Sequence, residues 1–344
     1  MSDYKLVDVT VGIPTKNRYD LLLLTLYSIA NQTVKPSEII VVDDSDNPQD
    51  LRNVSIYKHL FSTLETYGIK WKIIWGVKKG QHYSHHTIQE IALNDLIFRI
   101  DDDEVAEYDV LEKLLSCMTE EVGAVAPAVI IPPGNPLPNG LTTNYLPTID
   151  TQPNVQWYLF NDILEAEHLY SCFLYRKGIV KYDLTLSPVA HREETIFSHS
   201  IYREAYKLLI NGSARVWHYR SETGGIRSTN NKSFYDNDEK IFQGYLKRWD
   251  VGNKPDYKIV VLDNGLGDHY AFKNLIPEFK ARYRGLTIAA CYPDVFYDEQ
   301  DIKLISIADA KELYYNLDGF SVYKYMKDHK WTKSIGEAYK ELYL

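Results

Sequence analysis

The chain has 344 residues, 45% of them hydrophobic and 25% charged, with a formal net charge of -9. These are the proportions of a globular protein whose core is large enough for one large or two ordinary domains. The acidic balance, with neither half of the chain basic, gives no general electrostatic footprint for nucleic acid. Cys117, Cys172 and Cys291 are too widely spaced for a zinc pattern or a disulfide framework and fit a reducing compartment. No apolar run approaches the roughly 20 residues of a membrane span, and the first strand begins without a leader-like segment. A cytoplasmic protein is expected.

Residues 6–14 read as a first strand, followed by the turn Pro14-Thr15-Lys16-Asn17-Arg18. Asn17 is placed to cap a helix that runs to about residue 31 and buries Leu22, Leu26 and Ile29. Residues 39–42 form a second buried strand that ends in Asp43-Asp44-Ser45-Asp46. A helix carrying Val54, Phe61 and Leu64, a strand at 71–75, and a loop with a short helix at 80–93 come next. The apolar run 96–100 then delivers Asp101-Asp102-Asp103-Glu104 to its carboxyl end. After a helix at 110–118 and a strand at 122–130, residues 131–147 hold five prolines and read as a surface loop beside a site or as a plain connector. A strand at 170–175 precedes His191-Arg192-Glu193-Glu194, which opens a helix with Phe197, Ile201 and Ala205 on one face, ended by Asn211-Gly212. Strands alternating with helices imply a three-layer α/β unit with a mostly parallel sheet. The polar run 228–240 and Gly252-Asn253-Lys254-Pro255 mark a boundary, giving domains 1–253 and 254–344.

Acids emptied from the carboxyl end of a buried strand stand where open α/β sheets bind ligands. In an extended chain Asp101 and Asp103 share one face and Asp102 points away. Two carboxylates so placed suit a hard divalent cation already chelated by phosphate oxygens. The same acids also suit the N-terminal end of the following helix, whose dipole favours negative charge.

Four segments together carry a resemblance: Val11-Gly12-Ile13-Pro14-Thr15-Lys16-Asn17-Arg18, residues 39–44, Asp101-Asp102-Asp103 and Arg192-Glu193-Glu194-Thr195. Their order over about residues 5–230 resembles that of family 2 glycosyltransferases. The resemblance implies a GT-A fold that binds a nucleotide-diphosphate sugar with Mn²⁺ or Mg²⁺, and an inverting transfer. It places the family's Asp-x-Asp pattern on Asp101 and Asp103, with Asp103 toward the metal and Asp101 toward the ribose or a metal-bound water. The nucleoside-binding acid falls on Asp43 or Asp44, and Pro14, Thr15, Arg18 and Asp102 join the donor-binding edge. The base motif, usually Glu-Asp, falls on Glu193-Glu194; Glu194 takes the base's place, and the departure leaves the choice between the two acids open. His218 is a candidate metal ligand, since imidazole completes carboxylate sites for Mn²⁺, or else a core histidine. Arg227, after the paired glycines Gly224 and Gly225, is a candidate to close over the diphosphate, or an ordinary loop arginine.

Residues 259–290, with the turn Gly265-Leu266-Gly267-Asp268 and a helix at 270–283, weakly resemble the first βαβ unit of heptosyltransferase-like GT-B enzymes. The third glycine of a dinucleotide fingerprint is missing, so no NAD site is inferred. A small Rossmann-like α/β domain is expected, as an acceptor-binding or homo-oligomerising appendage or as a packing domain. The whole reads as a metal-dependent inverting glycosyltransferase, with a UDP-sugar as donor and a glycan hydroxyl as acceptor. A hydroxylated base in modified phage DNA remains an alternative acceptor. The rival readings are a sugar-nucleotide nucleotidyltransferase, which wants a glycine-rich first loop, and a non-catalytic carbohydrate-binding or scaffold protein, which needs none of these acids.

Overall fold

The computed structural model describes residues 4–221, 224–225, 231–249, 251, 258–283, 285–313 and 317–343. The chain divides into two compact units, Met1–Arg248 and Trp249–Leu344.

The first unit runs β1 (Leu6–Thr15), α1 (Tyr19–Ala30), β2 (Lys35–Asp43), α2 (Ser55–Thr66), β3 (Lys70–Trp75), α3 (Gln81–Ile91) and β4 (Leu96–Arg99). It continues with β5 (Glu104–Ala106), α4 (Val110–Ser116), β6 (Val122–Ile130), β7 (Ile163–Ala166), β8 (Phe173–Arg176), α5 (Glu193–Arg203), β9 (Lys207–His218) and α6 (Lys232–Arg248). Its strands form one sheet in the order β3-β2-β1-β4-β8-β6-β9-β5, with β7 paired to β9. The stretch β3-β2-β1-β4 is parallel, and β8 enters antiparallel between β4 and β6.

Period-two alternation explains the three layers. Ile39 and Val41 of β2 point into one core with Leu22, Leu26 and Ile29 of α1 and Phe61 and Leu64 of α2. Ile40 and Val42 point into the opposite core, with Ile88 of α3 and Phe197 and Ile201 of α5. Strands covered on both faces read as continuous apolar runs, which is why β2 and β6 were legible.

Three expected boundaries differ. Asn17 does not cap α1: it lies at φ +58° and joins the first two loops, its amide donating to Asp46 Oδ2 at 2.8 Å. The helix opened by Glu193 ends at Arg203, with Ala205 at φ +66°, and Asn211-Gly212 lies inside β9. The polar run 228–240 holds the first half of α6, which belongs to the first unit. Its Asp238 is fully buried and accepts from Ser187 N and Oγ at 2.7 Å each and from His191 N at 2.9 Å. A helix polar along most of its length thus anchors the segment leading into α5.

The second unit runs β10 (Lys258–Leu262), α7 (Leu266–Lys273), α8 (Ile276–Arg282), β11 (Leu286–Ala290), β12 (Ile302–Ile305), α9 (Ile307–Leu313), α10 (Val322–Asp328) and α11 (Ile335–Tyr343). Its three strands are parallel in the order β10-β11-β12. The single helix expected at 270–283 is two, because Pro277 in the first turn of α8 lacks the N–H needed to continue α7. Val260, Leu262, Phe272, Phe279, Ile288 and Tyr339 form its core. Among the described residues no helix is long and apolar enough to cross a membrane.

Candidate active site

The order β2-β1-β4 makes β1 a point where successive connections leave in opposite directions, and α/β sheets bind ligands outside the carboxyl ends of strands at such a point. Thr15 pairs with Asp43, and Gly12 with Arg99, so the loops after the three strands meet. They line a cleft of about 260 Å³ that includes Pro14, Thr15, Arg18, Asp44, Asp101 and Asp102. A second, more polar cavity of about 170 Å³ shares Arg18, Gln81 and Asp101 with the first and adds Asp103, Glu194, His218 and Arg220.

Of the two candidate nucleoside acids, Asp44 lines the cleft, accepting from Lys78 N at 2.9 Å and Ser84 Oγ at 3.3 Å. Asp43 does not: its carboxylate is used up closing the end of β2, accepting from Tyr19 Oη at 2.7 Å and Ser45 N at 2.9 Å. Asp44 is held from behind by Gly76, where a Cβ would sit 1.8 Å from its Oδ1.

The expected alternation of the acids fails because the chain turns at Asp102 and Asp103, with Glu104 N donating to the Asp101 carbonyl at 3.3 Å. Asp102 therefore faces the cleft, accepting from Thr15 Oγ1 at 2.7 Å and Arg18 Nη1 at 3.2 Å. Arg18 Nη1 also lies 2.9 Å from Asp103 Oδ2. Burial pushes the Asp102 carboxyl up to about 6 despite Arg18 and Thr15. Asp101 is raised well above the carboxylate range, first by burial and then by the charges of Glu104 and Asp103.

The short pairing of β5 with β9 sets Glu104 opposite His218 and so brings that imidazole beside the turn. His218 Nε2 is 3.3 Å from Asp103 Oδ1. Burial opposes charge on both groups, but their contact outweighs it, with Arg18 adding to the effect on Asp103. His218 is raised and Asp103 lowered. An imidazole and a carboxylate side by side in an open polar cavity are both side-chain types that ligate divalent cations. Among the described residues no group of three or more His, Cys, Asp or Glu side chains is arranged to hold a metal ion. Asp101 accepts from Gln81 Nε2 at 2.7 Å.

Glu193 and Glu194 part company at the start of α5. Glu194 is half-buried and lines the polar cavity. Glu193 does not line it, since its carboxylate is locked beneath the site against Arg99, with Nη1–Oε1 at 2.6 Å and Nη2–Oε2 at 3.2 Å. Arg99 is wholly buried, lies over the Phe173 and Tyr182 rings, and donates to the Ser171 carbonyl at 3.1 Å. Burial alone would weaken its charge, but the Glu193 carboxylate more than offsets this; burial likewise drives the Glu193 carboxyl upward while Arg99 pulls it back. The pair ties the strand that delivers the acids to the helix that presents Glu194.

Gly224 and Gly225, at φ +70° and +66°, fold back on the first turn, with Gly225 N donating to the Lys16 carbonyl at 2.9 Å. A Cβ on Gly225 would lie 2.5 Å from Arg18 Cζ, so only glycine lets this segment rest on the guanidinium. Arg227 lies outside the described residues. The sequence reading missed Gln81, Gly76 and Arg99. For Arg99 a signal existed: an arginine inside an apolar strand is rarely buried without a carboxylate partner.

The family model for glycosyl transferase family 2 matches residues 10–184. Among solved structures, S. aureus TarS 1–349 in complex with UDP-GlcNAc is similar with a TM-score of 0.51 and 13% identity, covering 96% of this chain and 83% of that one. GalNAc-T7 with UDP, GalNAc and Mn²⁺ gives a TM-score of 0.48 at 16% identity, covering 62% of this chain and 43% of that one. A longer S. aureus TarS structure gives 0.49 at 14% identity, covering 96% and 50%. The chain thus spans half or less of the length of the latter two. No curated protein matches it. With the family's model matched over half of its length and a fold similar to TarS 1–349, the chain belongs to glycosyl transferase family 2 and has the GT-A fold.

Proposed function

We propose that the protein transfers a sugar from a nucleotide diphosphate, most simply a UDP-sugar, to an acceptor hydroxyl with inversion at the anomeric carbon. The observation that carries this reading is the meeting of two cavities at the Asp101–Asp103 turn, one bearing Asp44 and the other Glu194. The nucleoside would lie in the larger cleft, with Asp44 accepting from its ribose or base and Pro14 and Thr15 along its edge. Arg18 would turn from the acids toward the diphosphate. Asp103 and His218 would hold a divalent cation, which when bound neutralises the charge that grows on the leaving diphosphate. Glu194 would accept the proton of the acceptor hydroxyl from the face opposite the leaving group, and Glu193 would fix its helix.

Support for a nucleotide-sugar donor also comes from TarS 1–349, whose structure contains UDP-GlcNAc. The second unit, which in this reading binds the acceptor or assembles copies of the chain, contributes no chemistry of its own. The test is diphosphonucleoside release from a panel of UDP-, GDP- and dTDP-sugars with Mn²⁺, for the wild type and Glu194→Gln. Release from one donor, slowed in the variant, is expected. If no donor is consumed, while a sugar phosphate and a nucleoside triphosphate combine to give a nucleotide-diphosphate sugar and pyrophosphate, the nucleotidyltransferase reading replaces this one.

A further inference from the structure

A third, shallower cavity, of about 80 Å³, lies outside the cleft among the turns at 143–157 and the segment before β8. Its walls are aromatic. Trp157 is 41% and Tyr145 36% exposed, and the Trp157 ring meets that of Tyr170 at 6.0 Å and 42°. Its rim is polar, with the Thr148 hydroxyl donating to Gln152 Oε1 at 3.3 Å. None of the lining residues is Asp, Glu, Lys or Arg, and its one histidine, His168, is kept neutral by burial, which pushes its pKa down to about 3.

That chemistry is selective. A phosphate, nucleotide or charged peptide finds no counter-charge here, and a purely apolar ligand would strand the amide and hydroxyl at the rim. A pyranose ring satisfies both, since its axial C–H face lies against an aromatic plane while its equatorial hydroxyls reach side-chain amides and hydroxyls.

The cavity is also joined by direct contacts to the walls of the transfer site. Asp150 in its loop pairs with Arg192 at 2.6 Å, and Arg192 lines the polar cavity and precedes the two glutamates. On the other wall, Leu169 N donates to Ser198 Oγ at 2.8 Å, and that hydroxyl donates to the Glu194 carbonyl at 2.7 Å.

We infer that the Tyr145–Trp157–Tyr170 cavity is a saccharide subsite that holds an uncharged sugar of the acceptor on the Glu194 side of the cleft. This rests on the reading of the cleft as a glycosyl-transfer site, and it narrows the acceptor to a glycan or glycoconjugate.

The test is direct binding without nucleotide. Saturation-transfer NMR is run on the full chain with the methyl glycosides of glucose, galactose, mannose, N-acetylglucosamine and N-acetylgalactosamine, for the wild type, Trp157→Ala and Trp157→Phe. At least one glycoside should show transfer to its ring C–H protons. Its affinity should fall about tenfold in Trp157→Ala and be largely recovered in Trp157→Phe, the size of effect one aromatic contact supplies. UDP affinity, measured in parallel, should be unchanged in both variants. The inference is overturned if no glycoside binds the wild type, if binding survives Trp157→Ala unchanged, or if UDP and glycoside affinities fall together. Failure of the wild type to bind UDP would instead strike the donor reading and leave the glycoside result standing.

Discussion

Glu193→Gln removes the charge that compensates a wholly buried arginine while keeping the side chain's size. Breaking one partner of a buried ion pair costs about 3–5 kcal/mol, because the other charge is left without its counter-ion. Arg99 would keep its contacts to the Ser171 carbonyl, at 3.1 Å, and Tyr182 Oη, at 3.3 Å, so the lower end, about 3 kcal/mol, is expected. For a unit of this size that lowers the thermal midpoint by roughly 6–12 °C. Arg99→Met alone should be similarly harmful. The double variant should recover at least about 2 kcal/mol relative to the sum of the two, since neither charge is then stranded. Calorimetric scans of the four proteins at pH 8, where the carboxylate is ionised, measure the cycle. Turnover provides the second readout: Glu193→Gln, if a positioning residue, should keep kcat within about tenfold where folded, well short of the loss for a general base. A shift below 2 °C for Glu193→Gln, or strict additivity in the double variant, would refute the idea that this pair fixes the start of α5.

Glu194→Gln should bind donor normally and lose about 10²–10⁴ in kcat, the share usual for a general base; single-turnover kinetics at saturating donor measure it. Gly76→Ala should weaken UDP binding at least tenfold by pushing Asp44 off its position, given the 1.8 Å approach of the added Cβ, and titration calorimetry checks it. Metal-dependent UDP affinity should rise with pH across the neutral range. His218 has a raised pKa, so cation binding there must displace a proton whose occupancy falls as pH increases. Titrations at pH 6, 7 and 8 should show this trend, flattened in His218→Asn. A chain ending at Arg248 should still release UDP from its donor, because every residue placed in the cleft lies in the first unit.

Much of this was legible in the sequence because it is local. The apolar runs of β1, β2 and β4 announce buried parallel strands, and the acids following β2 and β4 fall at one edge of the sheet. What the sequence concealed depends on contacts distant along the chain. Asp43 and Asp44 are neighbours with the same chemistry, and only the packing of Tyr19, Ser45 and Gly76 shows which one faces the cleft. Likewise Glu193 and Glu194 are separated by a partner 94 positions before Glu193. The alternation argument for Asp101–Asp103 assumed extended backbone where the chain turns. α6 was missed because its buried residues are Phe242 and the carboxylate Asp238, which serves three donors on the segment before α5, and this leaves the helix without an apolar stripe.

The measurement that bears most directly on the central claim is the calorimetric titration of UDP with and without Mn²⁺, in the wild type and in Asp103→Ala. The account predicts tight UDP binding only when Mn²⁺ is present, and its loss in the variant, where the Asp103–His218 pair no longer exists to hold the cation. Metal-dependent UDP affinity that is unchanged in Asp103→Ala would contradict it.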